Sequence, residues 1–197
     1  VSIAPIFTGI LAHFFLEGEK MKKSIVLGFV CAMAGICLIT FQKGETVELN
    51  PLGDFLGVAA AAIWGVYSIC SRKIAGFGYD TIITTRRTFF YGILFMLCAL
   101  PFMDFHLSLS ALLKPVNLGN IIYLGVGASA ICFVTWNYAV KSLGATRASV
   151  YIYGIPVVTI LMSIPLLHEV ITFQAMAGTV LTLVGLLISE WPFSPKK

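Results

Sequence analysis

Charged side chains are what this 197-residue chain has least of: Asp, Glu, Lys and Arg make up 11% of it, against 58% hydrophobic residues and a mean hydropathy of +0.94. That leaves too little polar surface to coat a soluble globule, so a soluble enzyme or binding domain is excluded and an integral membrane protein is expected. Segments of about ten alternating apolar and polar residues are also absent, which excludes a membrane β-barrel. Helices are the remaining way to satisfy every backbone group in lipid. No enzyme motif is present. The five cysteines, Cys31, Cys37, Cys70, Cys98 and Cys132, are scattered through apolar runs without a Cys-x-x-Cys pair. Neither a zinc site nor a disulfide framework is expected, and they read as small residues for helix packing. His13, His106 and His168 are equally dispersed, as solvated histidines near a membrane surface are, so no metal or cofactor is expected. Apart from Glu190 near the end of a run, no acidic residue lies deep in an apolar stretch, so the buried carboxylate used by proton-driven carriers is missing.

What is present is a succession of apolar runs about 16 to 23 residues long, close to the roughly 20 that cross a hydrocarbon core of about 30 Å. Seven spans are drawn: 1–16, 24–41, 53–71, 87–103, 119–140, 145–167 and 171–190. Lys and Arg accumulate in cytoplasmic links. Placing the link after the first span inside puts eleven of the thirteen basic residues there, leaving Lys43 and Lys114 outside with Glu45, Glu48, Asp54, Asp104 and Glu169. The net charge of +4 is therefore a topology signal, with the N-terminus outside and the C-terminus inside, and implies no nucleic-acid partner.

Residues 1–40 return as 151–190. At an offset of 150, Glu19 falls on Glu169, Gly28 on Gly178 and Gly35 on Gly185, while Pro5 and Pro156 miss register by one residue. With seven spans the first copy runs inward across the membrane and the second outward, so the repeats are inverted. Inverted repeats are a transporter device, because two halves rocking about a central site expose it alternately. The glycines, seven residues apart on one helix face, are expected to let neighbouring helices approach closely. The chain opens on Val1 within an apolar span. A second unit of five spans beside a first unit of two leads to the expectation that three N-terminal helices are missing.

Pro5 to Glu19 with Gly28 and Gly35, then Trp64-Gly65, Ser71-Arg72-Lys73, Leu143-Gly144-Ala145, Ala148-Ser149, Pro156, His168-Glu169, Gly178 and Gly185, occur in an order that resembles the EamA-type permeases of the drug/metabolite transporter superfamily. In the first link, Leu-Glu-Gly-Glu, either Glu17 or Glu19 matches the family glutamate. The resemblance implies an all-α polytopic membrane bundle of ten helices in two inverted five-helix repeats, of which this chain would hold seven. Residues 1–42 would be the last two helices of the first repeat, 43–52 an outside linker, 53–190 the complete second repeat and 191–197 a cytoplasmic tail. A bacterial inner membrane is the implied location.

Polar and aromatic residues near midspan are the candidates for a solute site, since polar groups in hydrocarbon face a cavity or another helix. These are Trp64, Tyr67, Tyr91, Ser129, Trp136, Asn137 and Tyr153, with Ser129, Cys132 and Trp136 expected on one helix face. Pro156 lacks a backbone donor and permits a kink. Trp136 and Tyr67 are expected to face a shared aqueous cavity, as the resemblance places their helices around the solute. Aromatic area with one amide suits a solute having an apolar body and a few hydrogen-bonding groups. The expected function is a permease or exporter moving a small polar metabolite or drug-like solute by alternating access. Its expected partners are that solute, the lipid bilayer and the missing helices, with a homodimer left open. Two rivals are a seven-helix receptor or retinal protein, which for retinal needs a lysine deep in a span that this chain lacks, and a non-transporting scaffold.

Overall fold

The computed structural model describes residues 3–19, 21–40, 50–103, 108–167 and 172–190. Everything regular among them is helical. In chain order the helices are α1 (Ala4–Phe15), α2 (Lys23–Thr40), α3 (Pro51–Gly76), α4 (Thr81–Ala99), the short α5 (Leu109–Leu112), α6 (Pro115–Ile122), α7 (Cys132–Leu143), α8 (Ala145–Val150), α9 (Gly154–Leu167) and α10 (Phe173–Glu190). A π-helical stretch, Tyr123–Ile131, joins α6 to α7, and a 3-10 turn, Tyr151–Tyr153, joins α8 to α9. Six of the resulting rods are long and apolar enough to cross a membrane, while α1, at 12 residues, rises only about 18 Å.

Several helix ends differ from the expected spans, for local reasons. α4 begins at Thr81 instead of 87, because the Asp80 carboxylate accepts from the backbone N–H groups of Ile82 (2.9 Å) and Ile83 (3.0 Å) and caps the helix there. Arg86 and Arg87 therefore sit inside the helix and not in a link. α3 runs on past 71 to Gly76, where Gly78, with φ of 79°, turns the chain. The fifth span starts at Pro115, whose missing N–H costs nothing in a first helical turn.

The described chain forms two compact units, one of Val1–Cys70 with Leu143–Lys197 and one of Ser71–Ser142. In the first, α2 and α10 are the most extensively packed pair. They begin and end 150 residues apart and have 18 residues each, so the sequence repeat is matched by equal helices. Their contact is made by glycine. A methyl group placed on Gly178 would lie 2.6 Å from the Gly35 carbonyl oxygen, and one on Gly185 would lie 2.6 Å from that of Gly28. Ala32, Val150 and Tyr153 form a buried apolar cluster beside this pair, with Ile25, Phe29, Met33, Ile36 and Leu186 around it.

The contacts across α2 and α10 obey a local two-fold axis. Exchanging each residue with its mate at offset 150 turns the Gly28–Gly185 contact into Gly178–Gly35, Ile39–Gly178 into Ser189–Gly28, and Ala32–Gly185 into Thr182–Gly35, and all six occur. That reciprocity is the mark of an isologous interface. Because low numbers on α2 meet high numbers on α10, the helices are antiparallel, and a two-fold between antiparallel spanning helices lies in the membrane plane. The expected inversion is present in this pair.

In the second unit, α4 and the rod Pro115–Leu143 meet through Phe89 and Phe133, whose rings are edge to face at 5.2 Å and 87°. Their outer faces carry exposed apolar side chains such as Phe95, Met96 and Ile131, as a lipid-facing surface requires.

Candidate functional site

The residues singled out from sequence divide between the two units. In the first, Trp64 and Tyr67 lie one turn apart on α3 and their rings approach to 5.7 Å. Both are half-buried. Next to them Gly65 admits α1, since a Cβ there would meet Phe7 Cβ at 3.1 Å and Thr8 N at 3.2 Å. Tyr153, 1% exposed, packs 6.0 Å from the Phe29 ring within the apolar cluster, and its hydroxyl has no hydrogen-bond partner among the described residues.

In the second unit Asn137 is the organising residue. Its Oδ1 accepts from the Ser71 hydroxyl at 2.6 Å, its Nδ2 donates to Thr85 Oγ1 at 2.9 Å, and Thr85 Oγ1 in turn donates to the Thr81 carbonyl at 2.8 Å. Asn137 is 7% exposed and Thr85 3%. The chain Ser71→Asn137→Thr85→Thr81 thus ties α3, α4 and α7 and meets the cost of an amide in an apolar bundle with protein partners. Beside it, Ser71, Tyr79, Thr81, Thr84 and Asn137 line a small recess with Ile74 and Ala75. Next to Ser71 on α3, Arg72 donates to the carbonyls of Val140 (3.3 Å) and Lys141 (2.6 Å), satisfying the end of α7.

Tyr91 lies on an exposed face of α4, at 59% exposure, away from this chain of hydrogen bonds. Trp136 is half-buried on α7 with its indole nitrogen inside. Ser129 falls in the π-helical stretch, while Cys132 and Trp136 lie in α7. The α-helical spacing behind the expected common face therefore holds for Cys132 and Trp136 and does not extend to Ser129.

Two features escaped the sequence reading. One is the Ser71 and Thr85 pairing of Asn137. The other is the set of partners of Glu19, whose carboxylate accepts from Ala145 N (3.1 Å), Thr146 N (3.0 Å) and Thr146 Oγ1 (3.1 Å), while Glu17 is exposed. Of the two glutamates, Glu19 is the one that makes these contacts. Glu169 and His168, its companions in the second copy, lie outside the described residues, as do His106, Lys43 and the tail 191–197.

Residues 51–191 match the sequence profile of the EamA-like transporter family. The chain belongs to that family. Among curated relatives it is 31% identical to an uncharacterized transporter of Archaeoglobus fulgidus, over 95% of this chain and 64% of that protein. It is 28% identical to the uncharacterized transporter YyaM of Bacillus subtilis (96% and 62%), and 28% identical to a probable terminal-alkyne amino-acid exporter of Streptantibioticus cattleyicolor (95% and 61%). The chain therefore spans a little under two thirds of the length of these relatives. One solved crystal structure superposes with a TM-score of 0.75 over 96% of this chain and 64% of its own, at 21% identity, a likeness of fold.

Proposed function

We propose that the protein acts as a membrane carrier, a permease or exporter, that moves a small polar metabolite or drug-like solute by alternating access. The observation that carries this reading is the two-fold contact between α2 and α10, because helices related by an in-plane axis give a bundle two equivalent arrangements, one open to each side. The names of the EamA relatives agree with it and point to no chemical reaction, and neither the receptor nor the scaffold reading has comparable support. The exporter among them makes amino-acid-like solutes the first class to test. We assign residues 1–42 to the end of a first repeat and 53–190 to a second. Trp64 and Tyr67 on α3, and Trp136 on α7, are the side chains we assign to solute contact. Asn137 we assign to holding α3, α4 and α7 in place, since its amide is already engaged. The distribution of basic residues supports a cytoplasmic C-terminus, and the family resemblance supports a bacterial inner membrane as the location.

The test is transport by the full-length protein in proteoliposomes, using L-propargylglycine as a terminal-alkyne amino acid, L-leucine, and ethidium as a drug-like cation. Saturable movement of at least one, absent from empty liposomes, is expected. No flux with any of them, in protein shown to be folded, would count against the proposed solute classes. Orientation is tested with a C-terminal green fluorescent protein fusion, which should fluoresce, and an alkaline phosphatase fusion at the same point, which should be inactive.

A further inference from the structure

We propose that Glu19 is the removable half of a clasp that closes one face of the helix bundle and is released when the carrier opens on that face. The proposal rests on the transporter reading. Glu19 lies on the link between α1 and α2, and its three donors belong to Ala145 and Thr146, 126 and 127 positions away at the start of α8. The residue preceding α8 is Gly144, which has no side chain to cap it. Its φ of 93° is one that residues with a Cβ rarely adopt, and a Cβ there would fall 2.6 Å from Glu19 Oε1. The backbone of 144–146 is thus shaped to receive a carboxylate, and the carboxylate comes from the other repeat.

Three properties separate a clasp from a fixed cap. A structural cap is ordinarily supplied by the helix's own first residue, which moves with it; here it comes from the link between α1 and α2, 126 and 127 positions away and, by the assignment above, in the other repeat. The contact is half-buried, beside the exposed Glu17 and Gly18, so water can take over the three donors when it opens. Charge-assisted hydrogen bonds are directional and strong enough to bias a two-state equilibrium without freezing it. The chain beside this contact carries Lys22 and Lys23 after Glu19 and Arg147 after Thr146, so the clasped face is the one the basic residues mark as cytoplasmic.

The experiment uses the full-length protein with Cys31, Cys37, Cys70, Cys98 and Cys132 replaced, and Glu17→Cys with Arg147→Cys introduced at two exposed positions flanking the contact. Spin labels on this pair in liposomes should report a short and a long distance. Glu19→Ala should lower the short-to-long ratio about tenfold, as loss of one or two charge-assisted bonds would. Glu19→Gln, which keeps one acceptor, should fall between, and Thr146→Val should give a smaller shift. These two serve if Glu19→Ala does not fold. Joining the two cysteines with a bifunctional thiol reagent should stop flux of L-propargylglycine, L-leucine and ethidium, and a cleavable linker should restore it on reduction. An unchanged distance distribution in the Glu19 variants, or undiminished flux in the cross-linked protein, overturns the clasp. If the uncross-linked parent moves none of the probes, the carrier reading for these solutes fails instead, and the distance measurement still decides the clasp.

Discussion

The Cys31 thiol donates to the carbonyl of Leu181 at 3.5 Å, and these two residues are separated by 150 positions, the period of the sequence repeat. A residue in contact with its own repeat mate sits beside the local two-fold axis, which passes midway between the Gly28–Gly185 and Gly35–Gly178 contacts. All five cysteines were expected to be small packing residues; Cys31 packs between helices, whereas Cys37, Cys70, Cys98 and Cys132 are exposed, and the place of Cys31 on the axis could not be read from composition. Lipid offers no hydrophobic drive between helices, so the pair must be held by close backbone approach and by side chains that satisfy themselves. Thr182 and Ser189 do the latter, bonding back to the carbonyls of Gly178 (2.8 Å) and Gly185 (3.0 Å) while lying against α2.

The glycine face makes a stability prediction. Gly178→Leu or Gly28→Leu must push α2 and α10 apart, because the obstructing atoms include backbone of the facing helix. Overpacking of this kind costs on the order of 1–3 kcal/mol or more. Folded yield in detergent and Tm should fall sharply for both, whereas Leu183→Ala, at a position 41% exposed, should change them little. Equal behaviour of the three variants would show that the face is not a tight interface.

The polar chain through Asn137 predicts coupling between helices. Asn137→Ala leaves Thr85 buried without its donor and Ser71 without its acceptor, which should cost roughly 1–3 kcal/mol. Ser71→Ala removes one bond of the same chain, so the double variant should be less destabilised than the sum of the two. A cycle in membrane bundles averages about 0.6 kcal/mol per bond, and a value near that is expected from unfolding in detergent. Strict additivity would mean that the Ser71–Asn137 bond contributes nothing.

Much of this arrangement was legible in the sequence and some was not, for reasons that can be traced residue by residue. Apolar runs of span length and the paired glycines were enough for an all-helical membrane bundle with an inverted pair, since lipid leaves few alternatives. Arg87 was read as a span boundary because charge is costly in hydrocarbon, yet Asp80 sets the helix start and the long arginine side chains allow it. Asn137 is expected to face a solute on the same argument of cost, and the structure adds that Ser71 and Thr85 also meet that cost. No spacing rule announces partners 66 and 52 positions away. Ser129 was assigned to a face by α-helical geometry, and the π-helical stretch 123–131 was not signalled by any residue in it.

Arg72 makes a prediction about charge versus geometry. Its guanidinium reaches two carbonyls at the end of α7, at 3.3 and 2.6 Å. Arg72→Lys keeps the charge but presents a single ammonium point, so it should retain only part of the stabilisation, and Arg72→Met should lose it. Amide exchange at the last turn of α7 should rise in the order Arg, Lys, Met. Identical exchange in Lys and Arg forms would show that charge alone suffices.

The solute-contact assignment can be judged position by position. Tyr67 is paired with Trp64 on α3, and Trp136 presents a half-buried indole on α7, so a cysteine at either place should be reached by water-soluble reagent only if that helix borders an aqueous path. In the full-length protein stripped of native cysteines, Tyr67→Cys and Trp136→Cys should each react with a charged methanethiosulfonate several-fold faster than Leu183→Cys. A transported probe should slow both reactions, because aromatic rings that contact an apolar solute body are covered when it binds. Asn137→Cys, by contrast, should react slowly and without protection, since its position is enclosed between α3, α4 and α7. Rapid, probe-protected labelling at 137 would return Asn137 to the solute site and remove it from the structural role assigned above.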